Sequence, residues 1–181
     1  MFIDLVSVTR LLKVAVPVSF ALHIFEEFVF PGTFPEWYHR YRPHLKGEPL
    51  SYYYKANLIY FLMTATVAFG PMRTSGYMSQ LFVSAILLSN LLFTHVRGAI
   101  ATRSYSPGMV TGILLYVPIT VTTFWYLTSH ALLSLPLALL SLGLSPMLEV
   151  YFALKPAIGV QPTRGAANPG AATSATAPSN R

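Results

Sequence analysis

Five apolar stretches, each near the length needed to cross a bilayer, dominate the 181-residue sequence. A hydrocarbon core about 30 Å thick takes about 20 mostly apolar residues as helix. Such stretches run roughly from Val14 to Phe30, Ala56 to Met72, Tyr77 to His95, Met109 to Thr128 and Leu132 to Phe152. Charged residues make up 10% of the chain, against about 25% in soluble domains. The expected fold is an all-α membrane bundle of about five transmembrane helices over residues 1–156. Residues 157–181, mostly Ala, Gly, Pro, Ser and Thr, read as a disordered tail. The first stretch is not read as a cleavable signal, because His23, Glu26 and Glu27 interrupt it and no Ala-x-Ala-like site closes it.

Breakers lie between the stretches. Pro31-Gly32 and Pro35 follow the first, Gly70-Pro71 the second, and Ser106-Pro107-Gly108 precedes the fourth. There Ser106 is expected to cap the helix, with Pro107 at its first position. Pro17 is expected in a first helical turn, where its missing N–H is tolerated.

The net charge of +6 and the pI near 9.7 point to a membrane rather than to nucleic acid, because the bases are scattered among apolar stretches. With five spans, Arg10, Lys13 and Arg73 fall on one side. Arg40, Arg42, Lys46, Lys55, Arg97, Arg103, Lys155, Arg164 and Arg181 fall on the other. That bias places the richer side in the cytoplasm, the N-terminus outside and the chain as a multi-pass protein of the inner (plasma) membrane. Trp37, Tyr38, Tyr52, Tyr53 and Tyr54 read as an aromatic belt at the cytoplasmic interface. The chain has no Cys, which excludes thiol nucleophiles, thiolate metal sites and iron–sulfur clusters.

An ionisable residue inside a span costs roughly 2.5–3.5 kcal/mol on insertion scales, so each demands a reason. At about 100° per residue, Glu26 and Glu27 lie near 300° and 40° from His23, on one side of the helix. One imidazole beside two carboxylates suits a metal, or a carboxyl pair sharing protons. The bland alternative is a pair of Glu snorkelling to water at the membrane boundary. Asn57, His95, Arg97 and Glu149 are expected at the same depth, with Tyr53 and Tyr60 on the face of Asn57, and Asn90 and Thr94 on that of Arg97. Together they suggest a shared pocket. His95 is about 140° from Asn90 on an ideal helix, so it joins this pocket only if the helix is distorted there. The turn with Arg97, Arg103, Tyr105 and Pro107-Gly108 suits a phosphate or carboxylate, although arginines there more often meet anionic lipid. Glu36, His39 and His44 read as solvated and His130 as chemically idle. Thr111, Thr120, Thr122 and Thr123 read as helix packing.

His23-x-x-Glu26-Glu27 at the end of a first membrane helix resembles the signature of the HXXEE-domain family of small bacterial membrane proteins. His95, then Arg103-x-Tyr105-x-Pro107-Gly108 and Thr111, is similar to a second motif block of that family. The resemblance implies a membrane location and a shared site more than a reaction.

Three functions are weighed. The first is an acid–base isomerase or cyclase acting on a lipophilic small molecule, with no cofactor. His23, Glu26, Glu27 and Glu149 would be catalytic, and Asn57, Tyr53, Tyr60, Asn90, Arg97 and Tyr105 would bind substrate. A carboxyl in low dielectric keeps its proton while its neighbour stays ionised. The second is a metal-dependent enzyme, with Fe, Mn or Zn held by His23, Glu26, Glu27, His95 and Glu149. The third is a non-enzymatic assembly subunit or carrier, ranked last because no inverted repeat is visible.

Overall fold

The computed structural model describes residues 4–159, and in its last helix the side chains as far as Met147, with Val150 and Tyr151. It is all-α, with no strand among the described residues. In chain order the helices are α1 (Leu5–Phe28), α2 (Phe34–Tyr41), α3 (Leu50–Phe69), α4 (Thr74–Thr102), α5 (Met109–Ser129) and α6 (Leu135–Gly159).

Among the described residues, three helices are long and apolar enough to cross a membrane: α1, α4 and α5, of 24, 29 and 21 residues. Of the five stretches expected, these are the first, third and fourth. The Tyr, Lys and Asn content of Leu50–Asn57 keeps α3 below that standard, and the described apolar part of α6, Leu135–Met147, is shorter. The helices alternate in direction. Tyr126 at the end of α5 donates to the carbonyl of Leu5 at the start of α1, and Lys13 of α1 reaches Gly70 at the end of α3. The side-chain arrangement is inverted relative to a soluble domain. Thr9, Lys13, Ser19, His23, Glu26 and Glu27 of α1 are buried, while Leu11, Val18 and Phe25 are exposed. Apolar-out and polar-in is the pattern a lipid solvent imposes.

Local chemistry explains where the boundaries moved. Asp4 caps α1 by accepting from the Ser7 amide at 2.6 Å, so the helix begins before Val14 and Pro17 is interior rather than in the first turn. Lys13, counted with Arg10 and Arg73 on one side of the membrane, is 1% exposed. Its ammonium donates to the carbonyls of Gly70 (2.6 Å) and Pro71 (3.0 Å). The end of a helix presents carbonyls with no internal partner, and a cation satisfies both their hydrogen bonds and the dipole. Helix α4 runs past His95 to Thr102 because a π-helical segment, Leu91–Val96, absorbs the misfit that was expected there. A second π segment, Gly112–Tyr116, lies in α5 just before Pro118, whose ring cannot accept a regular i−4 carbonyl behind it. At the far end α6 is helical to Gly159, past the expected start of the tail. The rest of the tail, from residue 160, lies outside the described residues.

Candidate metal centre

Helix α1 sets the site. His23 and Glu27, four residues apart, lie on one face, and Nε2 of His23 is 3.4 Å from Oε1 of Glu27. The π segment of α4 brings His95 to the same oxygen, with Nε2 again at 3.4 Å. The two imidazoles meet edge to face, with ring centroids 4.8 Å apart. All three side chains are buried, and the three donor atoms lie within 4.8 Å of one another. Neither Nε2 has a hydrogen-bond partner among the described residues.

The other ring nitrogens are anchored. Nδ1 of His23 is 3.1 Å from the Thr111 hydroxyl, which itself donates to the Gly108 carbonyl at 3.3 Å. In the tautomer whose Nδ1 donates to Thr111, Nε2 presents a lone pair. Nδ1 of His95 is 2.9 Å from the Ser106 hydroxyl. Ser106 thus serves His95 rather than capping α5, and Thr111 serves His23 rather than helix packing. Trp37, fully buried rather than in an interfacial belt, lies parallel to His95 with centroids 6.1 Å apart at 8°. Its indole N–H donates to Thr102 at 3.2 Å.

Glu26 faces elsewhere. Oε1 accepts from the Tyr105 hydroxyl, the Gly108 amide (2.8 Å) and the Val110 amide (3.2 Å), while Oε2 accepts from the Thr111 amide (2.7 Å). These amides are the orphan donors at the start of α5, where the helix dipole favours an anion. The turn that suited a carboxylate in the sequence therefore holds one from its own chain. Burial, then the hydrogen bond to Glu26, pushes the Tyr105 phenol above its ordinary range. Gly108 sits at φ +96° against both imidazoles, and a β-carbon there would stand 2.6 Å from Cε1 of each. Only glycine reconciles that backbone angle with that contact.

Among the described residues, Asn57, Asn90 and Arg97, expected in a wider pocket, are not brought to the His–Glu group. Asn57 and Asn90 are half-buried and Arg97 is exposed. Among the described residues, none of the three is a hydrogen-bond partner of the His–Glu group. Tyr53 is buried and bonded to His39 (2.8 Å), which is therefore not simply solvated. The ring of Tyr60 lies 6.3 Å from that of Phe20, whose ring lies 6.2 Å from that of His23. The side chain of Glu149 lies outside the described residues. Ser106, Thr111 and Trp37 were the contributors that sequence spacing did not assign to the site, while Gly108 was read only as part of the carboxylate-binding turn. The only advance signal was their place in the second motif block, or in an aromatic-rich loop.

Residues 14–123 match the model of a family described as a protein of unknown function with HXXEE motif. The chain belongs to the HXXEE family. Comparisons with curated proteins and with solved structures gave no match. The matched stretch contains every side chain described around Glu27, from His23 to Tyr116, whereas Glu149 lies beyond it. In this member the motif divides its labour: its His and last Glu form the buried group, and its first Glu ties down the 105–111 turn.

Proposed function

We propose that this chain is a metal-dependent membrane enzyme, with a divalent cation held by Nε2 of His23, Nε2 of His95 and the Glu27 carboxylate. The observation that carries this reading is the pair of 3.4 Å separations from one carboxylate oxygen to two imidazole nitrogens that have no other partner. Two ligand atoms on a tetrahedral zinc, each bonded at about 2.0–2.1 Å, stand roughly 3.4 Å apart. A charge-assisted hydrogen bond closes to about 2.7–2.9 Å instead. Each imidazole is fixed through its other nitrogen, as metal-bound histidines are. Imidazole with carboxylate suits Zn, Fe or Mn. Three protein ligands leave a further position for water or substrate, the pattern of catalytic rather than structural zinc. A cation held there would polarise a carbonyl or lower the pKa of a water.

The substrate class is a lipophilic small molecule, supported by the apolar exterior and the aromatic ring of Phe20, Trp37 and Tyr116 around the site. The bias of Lys and Arg supports a plasma-membrane setting with the site towards the cytoplasm.

The acid–base isomerase or cyclase is the second reading, favoured by the same Glu27 oxygen lying between two imidazoles. It casts Glu27 as the proton carrier and His23 and His95 as its partners. Glu26 contributes orientation in either reading, because its lone pairs are committed to four donors.

Titration of metal-stripped protein with Zn²⁺ tests the proposal. One tight site is expected in wild type and in His44→Ala, and none in His23→Ala, His95→Ala or Glu27→Gln. Tight binding that survives in the last three variants would overturn it.

A further inference from the structure

Tyr116 is packed against the group formed by His23, Glu27 and His95. The side chain is 1% exposed, its ring lies 4.9 Å from that of His23, and its hydroxyl is buried without a hydrogen-bond partner among the described residues. A phenylalanine would fill the same space without stranding a polar atom, so ring packing alone does not account for the hydroxyl. Stranded hydroxyls are destabilising, and natural proteins keep few of them. Tyr116 also closes the π segment of α5, a rare turn that recurs at functional sites. It lies within electrostatic reach of Glu27 and Glu26.

We infer that the Tyr116 hydroxyl donates a hydrogen bond to the non-protein ligand of the cation, an oxygen of water or of a carbonyl- or carboxylate-bearing substrate. The inference rests on the metal reading of His23, His95 and Glu27. It deepens that reading by naming the substrate's anchoring group. His23, His95 and Glu27 offer such an oxygen no hydrogen-bond donor, and Tyr116 is a buried donor beside His23 with none of its capacity used. A substrate without such an oxygen would leave the hydroxyl stranded, which gives the site a basis for choosing among apolar molecules.

The test uses the full chain in detergent, loaded with Co²⁺, whose visible bands report ligand exchange, with acetate as the oxygen-donor probe. Acetate is expected to perturb the bands of wild type, and Tyr116→Phe is expected to bind it about tenfold more weakly. Co²⁺ affinity should be unchanged within about twofold. Metal-free Tyr116→Phe should melt at or above the temperature of wild type, since it loses a stranded group. Equal acetate affinity in the two proteins, or no acetate response in wild type, would overturn the inference. Loss of Co²⁺ from Tyr116→Phe would make the phenol a metal ligand, and a marked drop in melting temperature would make it structural; either overturns it too. Wild type that takes up no Co²⁺ defeats the metal reading first, a result seen before any variant is made.

Discussion

Glu26 and Glu27 are consecutive, yet their carboxylates face different partners: Glu26 accepts four hydrogen bonds from the 105–111 turn, and Glu27 stands between two imidazoles. The roughly 100° between neighbouring helix positions makes this possible. One residue braces the start of α5 while the next reaches His23 and His95.

This division predicts opposite phenotypes for the two amide variants. Glu26→Gln presents an NH2 to a set of donors, and leaving buried donors unmatched costs about 1–3 kcal/mol. In a chain of this size that lowers the melting temperature by roughly 3–10 °C. Metal-free Glu27→Gln is expected to melt close to wild type, because among the described residues the Glu27 carboxylate accepts no hydrogen bond that the change would break. Thermal melts of metal-stripped proteins check both.

Gly108 is expected to tolerate no side chain. Alanine there combines a left-handed backbone with a contact of 2.6 Å to two imidazoles. The cost is about 2–4 kcal/mol, and zinc affinity should fall because both rings must shift. Calorimetric titration of Gly108→Ala with Zn²⁺, beside its melting curve, measures the two effects.

Ser106→Ala and Thr111→Val remove the groups that orient His95 and His23. Zinc affinity should fall by about 10–100-fold in each, as for other partners of metal-bound histidines. The binding isotherms should otherwise keep one site per chain, in contrast to the complete loss expected of Glu27→Gln.

The raised Tyr105 phenol gives a pH dependence of defined sign. Its proton is held more tightly in the folded chain than in the unfolded one. The associated stability is therefore fully present below the ordinary phenol range near pH 10, and is lost as pH rises through the higher folded value. Melting temperatures of wild type and Tyr105→Phe should differ in favour of wild type from pH 6 to 9 and converge in strong alkali. A gap that is constant with pH would contradict this.

The sequence made α1 legible in detail because its chemistry is local. His23 and Glu27 share a face by their spacing alone, and the misfit of His95 with Asn90 anticipated the π segment of Leu91–Val96. What stayed hidden depends on contacts distant along the chain. Glu26 finds the amides of Gly108, Val110 and Thr111 more than eighty residues on, and periodicity carries no information about such partners. The sequence counts Lys13 only as a base on one side of the membrane, because the carbonyls it satisfies belong to the end of α3 and to Pro71 just beyond it. Trp37 looked interfacial because composition does not distinguish a ring facing headgroups from one stacked on His95. Depth alone grouped Asn57, Asn90 and Arg97 with the site, and depth does not fix direction around a helix.

The most direct test is the metal content of the purified protein. Elemental analysis of detergent-purified wild type, prepared without chelators, should find close to one equivalent of Zn, Fe or Mn per chain. Parallel preparations of Glu27→Gln should contain almost none. Wild type that is metal-free as isolated, and that still fails to retain Zn²⁺ after loading and gel filtration, would contradict the metal centre formed by His23, Glu27 and His95.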